Sequence, residues 1–259
     1  MMQIPIQVDA QGKILLGMLH LPRRRKQGSP LVMLNFGLNG DRVDNHRLSV
    51  LFAKRAVEAG FCVLRFDYAG CGLSDGEFHK VSLASKAADT VSMLLFTTSC
   101  FVDEECSIML LGYSDGIRVI DYVLRKYSGI NAVVAWNPVV RSMSSTFKSS
   151  IKRKIAVDPT TKKLVYPLFG VYMGLDYLRE ANEDMALEEF ISRPLPKLFV
   201  FGTGDVHTLD FQKQARQLSE EDPLLEYLEI EDANHLFSRD KWSKEVVEKT
   251  ISWMVKVSL

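Results

Sequence analysis

Residues 107–127 read SIMLLGYSDGIRVIDYVLRKY, and the order of features in that stretch decides the fold. The apolar run that opens it has the length of a buried strand and no polar face. After Gly116 the apolar residues recur at helical spacing, so the pattern predicts a strand over 107–113 and a helix over 115–127. Only GYSDG separates the two. A serine on so sharp a strand-to-helix turn needs small residues two positions before and after it, because side chains there would clash. The helix N-terminus then aims amide N–H groups at the space beside the hydroxyl, where an oxyanion would form. Ser114 is therefore the candidate nucleophile.

A second Gly-x-Ser-x-Gly, GLSDG at 72–76, lacks that context. Its strand ends near Asp67, YAGCG intervenes, and EFHKVS after Gly76 is not helical. Ser74 reads as part of a Gly-rich surface turn.

Outward from this centre, short β-rich runs alternate with helical segments. IPIQV and KILLGMLHL flank DAQG and predict an N-terminal hairpin. Strands are predicted over 30–36, 61–67, 132–138, 197–203 and 224–230. Helices are predicted over 45–59, 82–98 (capped by Ser82 or Ser85), 209–219 and 241–256. The alternation implies an α/β domain spanning 1–259, with a mostly parallel eight-stranded sheet covered on both faces. It stops between Pro138 and Pro196, too long a gap for a plain connection. Residues 141–192 read as a small cap insert over the end of the sheet, with a helical pattern in YPLFGVYMGLDYLRE.

A serine hydroxyl is a weak nucleophile near neutral pH and needs a base, which in turn needs a carboxylate. Five histidines are present. His20 lies in the hairpin, His46 begins a helix, His79 sits in the Ser74 loop and His207 belongs to the loop after 197–203. His235, in EDANHLF, directly follows the last strand, where this chain order places the base. Asp205, after LFVFGTG, is the candidate acid; Asp210 is the alternative, and Asp232 stands too close to His235 in sequence. One oxyanion donor is the backbone N–H of Asp115. The other comes from FGLNG after the 30–36 strand, where Gly37 lets the loop bend and the N–H of Leu38 is the candidate.

At this point the chain resembles the α/β-hydrolases of the serine-aminopeptidase-like esterase group, through NFGLNGDR, VLRFDYAGCGLSDG, LLGYSDG, NPVV, LFVFGTGD and ANHLF. The insert is similar to the cap of bacterial cinnamoyl (feruloyl) esterases. RVDNHR, VLRFDYAGCGLSDGE and WNPVVRS also resemble hydrolases associated with exosortase systems, whose nucleophile position can hold cysteine; here it is Ser114. The resemblance implies an α/β-hydrolase fold and a carboxylesterase-like serine hydrolase acting on short-chain or aromatic acyl esters, without metal or organic cofactor. Two departures stand out. Relatives usually carry His-Gly where this chain has Phe36-Gly37, and an uncharged residue where it has Asp115. A carboxylate beside a developing oxyanion is unfavourable unless it points away or is paired, and it disfavours acidic substrates. Tyr166, Phe169, Tyr172 and Tyr177 of the insert are candidates for the substrate pocket wall, or pack the insert onto the sheet.

Three alternatives stay open on sequence: an acyltransferase or thioesterase with the same three side chains, a peptidase for small N-terminal residues, and a non-catalytic binding protein on this fold. Composition narrows the partners. Lys plus Arg equals Asp plus Glu at 32 each, which argues against nucleic acid. RRRK at 23–26 reads as a solvated loop. No apolar run reaches the roughly 20 residues of a membrane span. The N-terminus has no basic start followed by an apolar core, and the four cysteines show no paired spacing, so a soluble cytoplasmic protein with reduced thiols is expected. A small-molecule ester is the expected partner, and the sequence gives no oligomeric state.

Overall fold

A computed structural model describes residues 1–101, 106–141, 155–168 and 170–258. The chain opens with β1 (Met2–Ala10) and β2 (Lys13–Leu21), paired antiparallel. Gln11 and Gly12 turn between them at φ 57° and 77°. That two-residue turn in the left-handed region matches the twist of the strands, and Asp9 closes it by accepting the Gly12 N–H at 2.8 Å. Then follow β3 (Leu31–Asn35), α1 (Leu48–Glu58), β4 (Cys62–Phe66), α2 (Leu83–Phe101), β5 (Ile108–Tyr113), α3 (Gly116–Leu124) and β6 (Ala132–Trp136). After the intervening segment come β10 (Lys197–Gly202), α6 (Leu209–Glu221), β11 (Leu225–Ile230) and α7 (Asp240–Val257).

The eight strands form one sheet in the order β1-β2-β4-β3-β5-β6-β10-β11. β2 runs antiparallel to β1 and β4, and the other pairings are parallel. This is the eight-stranded, mostly parallel sheet that the alternation predicts. β3, β4, β5, β6 and β10 are buried along their whole length, which is why each reads as an apolar run and not as an alternation. The crossover from β3 to β4 moves one way along the sheet, and that from β4 to β5 moves back over β3. Right-handed connections therefore put α1 on one face and α2 and α3 on the other. The reversal leaves a crevice at the carboxyl ends of β3 and β5, the place where open α/β sheets bind ligands.

The helix predicted over 45–59 begins later, at Leu48. Asp44, His46 and Arg47 hold φ of 62°, 41° and 65°, so the chain cannot be α-helical there. Polar ties fix the loop instead. Arg42 forms an ion pair with buried Asp67, and Ser49 Oγ donates to the carbonyls of Arg42 and Val43 at 2.9 and 2.8 Å. α2 begins as expected: Ser82 and Ser85 each accept the other's backbone N–H, at 3.0 and 2.9 Å.

The segment between β6 and β10 departs from the reading of YPLFGVYMGLDYLRE as helical. β8 (Leu164–Leu168) and β9 (Val171–Gly174) pair antiparallel about Gly170 at φ 81°, with β7 (Ala156–Val157) beside β8. The helix, α4, starts only at Leu175 and ends at Ala181, followed by α5 (Leu187–Ile191). A positive-φ glycine between β-branched and aromatic residues favours the hairpin over continuous helix. α4 is tied to the body of the domain. Arg118 of α3 donates to the carbonyls of Glu180, Ala181 and Glu183, and Glu180 accepts the Leu83 N–H at the start of α2.

His20 shows how burial sets protonation in this sheet. It is fully buried on β2, and its Nε2 accepts from Arg65 Nε and Nη2 at 3.1 and 3.0 Å. A guanidinium only donates, so this nitrogen carries no proton. Burial first, then the charges of Arg65 and Lys54, lower its pKa to about 4. Unfolded, the imidazole titrates near 6.5, so between roughly 6.5 and 4 the unfolded chain binds the extra proton. Stability contributed by neutral His20 is thus lost as pH falls through that window, by about 3 kcal/mol in total. Urea unfolding of wild type and His20→Gln at pH 7 and pH 4.5 checks this. The difference between the two proteins isolates His20 from carboxylates titrating alongside, and it should shrink in acid.

Candidate active site

The turn at Gly112–Gly116 has the backbone that the sequence implies. Ser114 sits at φ 58°, a region costly for a residue with a side chain. The flanking structure enforces it: Ser114 N–H donates to Trp136 O at 2.9 Å, and Ser114 O accepts from Val139 N–H at 3.1 Å. The glycines have separate reasons. A Cβ on Gly112 would lie 2.8 Å from Ile117 N, and one on Gly116 would lie 2.2 Å from Asn35 O. The first allows the helix to start immediately, and the second lets α3 press against the end of β3.

Ser114 Oγ lies 3.0 Å from His235 Nε2, and His235 Nδ1 lies 2.7 Å from Asp205 Oδ2. Three side chains from the ends of β5, β10 and β11 thus form one hydrogen-bonded line. Asp205 is buried, and its oxygens also accept from His207 N–H at 3.0 Å and Thr208 Oγ1 at 2.8 Å. Burial alone would raise its pKa. The hydrogen bond and charge of His235, with the His207 and Thr208 donors, outweigh it and hold the carboxyl below its usual range. An anionic Asp205 fixes the proton on His235 Nδ1 and leaves Nε2 to accept from the serine.

The backbone of the histidine loop is held independently. Its carbonyl accepts from Tyr113 Oη and from Asn137 Nδ2, both at 2.8 Å. Asn137, at φ 42°, also accepts Gly202 N–H at 2.7 Å, so one side chain links the ends of β6, β10 and the loop after β11. Burial, then the charges of Asp44 and Asp205, push the Tyr113 phenol well up, so it remains a donor. The Tyr113 ring stacks on the His235 imidazole at 5.9 Å, and His207 meets it edge-on at 5.3 Å. The sequence assigned no role to Tyr113 or Asn137. Asn137 lies in WNP directly after a strand, the signal by which it could have been found.

The loop after β3 comes to the same place. A Cβ on Gly37 would sit 3.0 Å from Ser114 Cβ and 2.9 Å from Asp115 Oδ1, so the loop passes directly beside the candidate nucleophile at the residue before Leu38. Phe36, in place of the usual histidine, is buried in the core. Asp115 is buried too, and its Oδ2 accepts from Tyr177 Oη. Burial, then the Asp115 charge, raise the Tyr177 pKa well above normal, so the phenol stays protonated. Of the two ways in which a carboxylate next to the nucleophile can be tolerated, the pairing is present.

The other candidates stand elsewhere. Ser74 Oγ donates to Asp67 O at 2.7 Å and accepts Leu16 N–H at 2.9 Å, as a turn residue does. Asp210 and Asp232 are exposed. Tyr166 is buried in the core, Tyr172 is exposed on the opposite face of the β8–β9 hairpin, and Phe169 lies outside the described residues. Tyr172 borders a shallow cavity of about 310 Å³, and a second of about 220 Å³ lies between α3 and α4; neither is lined by Ser114, Asp205 or His235. No group of metal-ligating side chains occurs among the described residues, and none of their helices is long and apolar enough to cross a membrane.

The architecture is that of the α/β-hydrolase fold. The structure of Est1E from Butyrivibrio proteoclasticus with bound ferulic acid superposes with a TM-score of 0.75 at 20% identity, over 97% of this chain and 98% of that one. DcsB in complex with a substrate analogue gives 0.77 at 17% identity, covering 98% and 99%. A thermophilic esterase from Thermogutta terrifontis gives 0.71 at 16% identity, also covering 98% and 99%. No protein-family model matches the sequence, and no curated protein does.

Proposed function

We propose that this α/β-hydrolase-fold chain is a serine hydrolase that cleaves carboxylic esters, with short-chain or aromatic acyl groups, through an acyl-serine intermediate. The observation that carries the reading is the Ser114–His235–Asp205 line, with contacts of 3.0 and 2.7 Å. In the first step Ser114 Oγ attacks the ester carbonyl as His235 Nε2 takes its proton, and Asp205 steadies the imidazolium. The backbone N–H groups of Leu38 and Asp115 bind the tetrahedral oxyanion. His235 returns the proton to the leaving alcohol. Water then attacks the acyl carbonyl as it gives a proton to His235, and His235 passes that proton to Ser114 Oγ as the acyl C–O bond breaks and the acid leaves. The thermophilic esterase and the ferulic acid complex among the superposed structures are consistent with this chemistry. We assign acyl preference to the segment between β6 and β10, as a cap on the carboxyl edge of the sheet. Tyr166 would shape its pocket indirectly, by packing the β8–β9 hairpin in place.

Reaction with a fluorophosphonate probe tests the assignment of the nucleophile. The label should map to the peptide bearing Ser114 and vanish in Ser114→Ala. 4-Nitrophenyl acetate, butyrate and benzoate should be hydrolysed by the wild type only. A folded wild type that neither labels nor turns over any of these esters would remove the proposal. Suppression of acid release by added alcohols, with transfer of the acyl group to them, would make it an acyltransferase instead.

A further inference from the structure

Lys86 is fully buried on α2, and it makes no ion pair of 4 Å or less with a carboxylate among the described residues. Its Nζ instead donates to two consecutive backbone carbonyls of the loop after β3, Gly37 O at 2.7 Å and Leu38 O at 2.9 Å. The ammonium also lies 5.0 Å from the centre of the Tyr68 ring and 5.3 Å from that of Tyr177. Burying an ammonium against two carbonyls and two rings is costly, and an apolar side chain would fill the space more cheaply. The placement calls for a reason beyond packing.

Peptide geometry supplies one. No peptide bond among the described residues is cis. In a trans peptide the C=O of one residue and the N–H of the next point in opposite directions. Fixing Gly37 O on Lys86 therefore turns the Leu38 N–H away from α2. Gly37 is caught between Lys86 on its carbonyl side and Ser114 with Asp115 on its α-carbon side. The cation also polarises the Gly37–Leu38 amide and strengthens its N–H as a donor. Finally, the ring it faces belongs to Tyr177, the phenol that pairs Asp115, whose Oδ1 has no hydrogen-bond partner although the residue is only 8% exposed.

The geometry points to Lys86 as a positioning residue for the oxyanion loop, holding the Leu38 N–H in its donating orientation. This rests on the esterase reading above. It links Asp115, Tyr177 and Lys86 in sequence: a carboxylate after the nucleophile, a phenol that pairs it, and a buried cation over the ring of that phenol. α4 carries Tyr177, so the segment between β6 and β10 takes part in tuning the charge behind the nucleophile.

Lys86→Met keeps the volume and removes the donor and the charge. In 4-nitrophenyl butyrate hydrolysis it should lower kcat by about 10- to 100-fold, with KM within about 3-fold of wild type, because the lost interaction matters only in the transition state. Inhibition by benzeneboronic acid, whose serine adduct is tetrahedral and anionic, should weaken by the same factor as kcat. A merely structural lysine would move neither quantity selectively. If Lys86→Met does not fold, Lys86→Met with Asp115→Asn removes both charges together, and the same paired loss is expected because the loop clamp is still absent. Unchanged boronate affinity in a folded variant, or a rise in KM with kcat intact, overturns the inference. Wild type distinguishes the two levels: active wild type with an equally active variant sinks the role of Lys86 alone, whereas a wild type that neither turns over nor labels sinks the esterase reading and this with it.

Discussion

Asp205→Asn should lower ester turnover by about 10⁴-fold while leaving the fold intact. The size follows from which oxygen does what. Asp205 Oδ1 accepts the His207 N–H at 3.0 Å, and Oδ2 faces His235 Nδ1 at 2.7 Å. An asparagine keeps its carbonyl oxygen where a backbone N–H needs an acceptor, so its NH₂ turns toward His235. That group donates, and Nδ1 must then accept. The ring proton moves to Nε2, the nitrogen that ought to receive the proton of Ser114. The imidazole stays in place and is in the wrong tautomer. Steady-state kinetics with 4-nitrophenyl butyrate, alongside a urea unfolding curve, tests this. A loss under about 10-fold in a folded variant would show that Asp205 does not orient the base.

Gly116→Ala should act through shape alone. The new methyl would lie 2.2 Å from Asn35 O, 3.0 Å from Asn35 C and 3.3 Å from Phe36 C, all backbone atoms. None of them can rotate aside, so α3 must lift from β3 or the loop starting at Phe36 must shift. Overpacking of this kind costs about 3 kcal/mol or more. The same displacement separates the two N–H groups assigned to the oxyanion, because one lies on each side of the contact. Both the urea midpoint and kcat should fall, kcat by about 100-fold or more. An unfolding free energy within about 0.5 kcal/mol of wild type would mean that the turn has more room than these distances imply.

Much of this architecture was legible because burial and backbone geometry leave marks in the sequence. Fully buried strands read as apolar runs, and Gly112 and Gly116 are spaced as a tight strand-to-helix turn requires. Ser114, Asp205 and His235 could be picked by their places after strands. Their meeting could not be read, since it depends on the register of β10 against β6 and β11. The insert was less legible. YPLFGVYMG holds apolar residues compatible with either period, and only the positive φ at Gly170 turns it into a hairpin. Supporting side chains were least legible of all. Nothing local in SLASKAADT says that Lys86 reaches carbonyls 48 and 49 residues earlier. Asp115 looked like a liability in the sequence because its partner, Tyr177, is 62 residues away.

The order in which these parts leave the ribosome has a consequence for the cell that makes them. Ser114 is synthesised 121 residues before His235. A growing chain can therefore build most of its central sheet while its hydroxyl is still an ordinary, unreactive alcohol. His235, the proposed base, follows β11, and Asn137 and Tyr113 must then capture the carbonyl of that late loop. Contacts of such long sequence separation form late in folding. Nascent and truncated chains that lack the loop after β11 should accordingly be chemically inert, and reactivity toward phosphonates would serve as a direct reporter that synthesis and folding have both passed that loop.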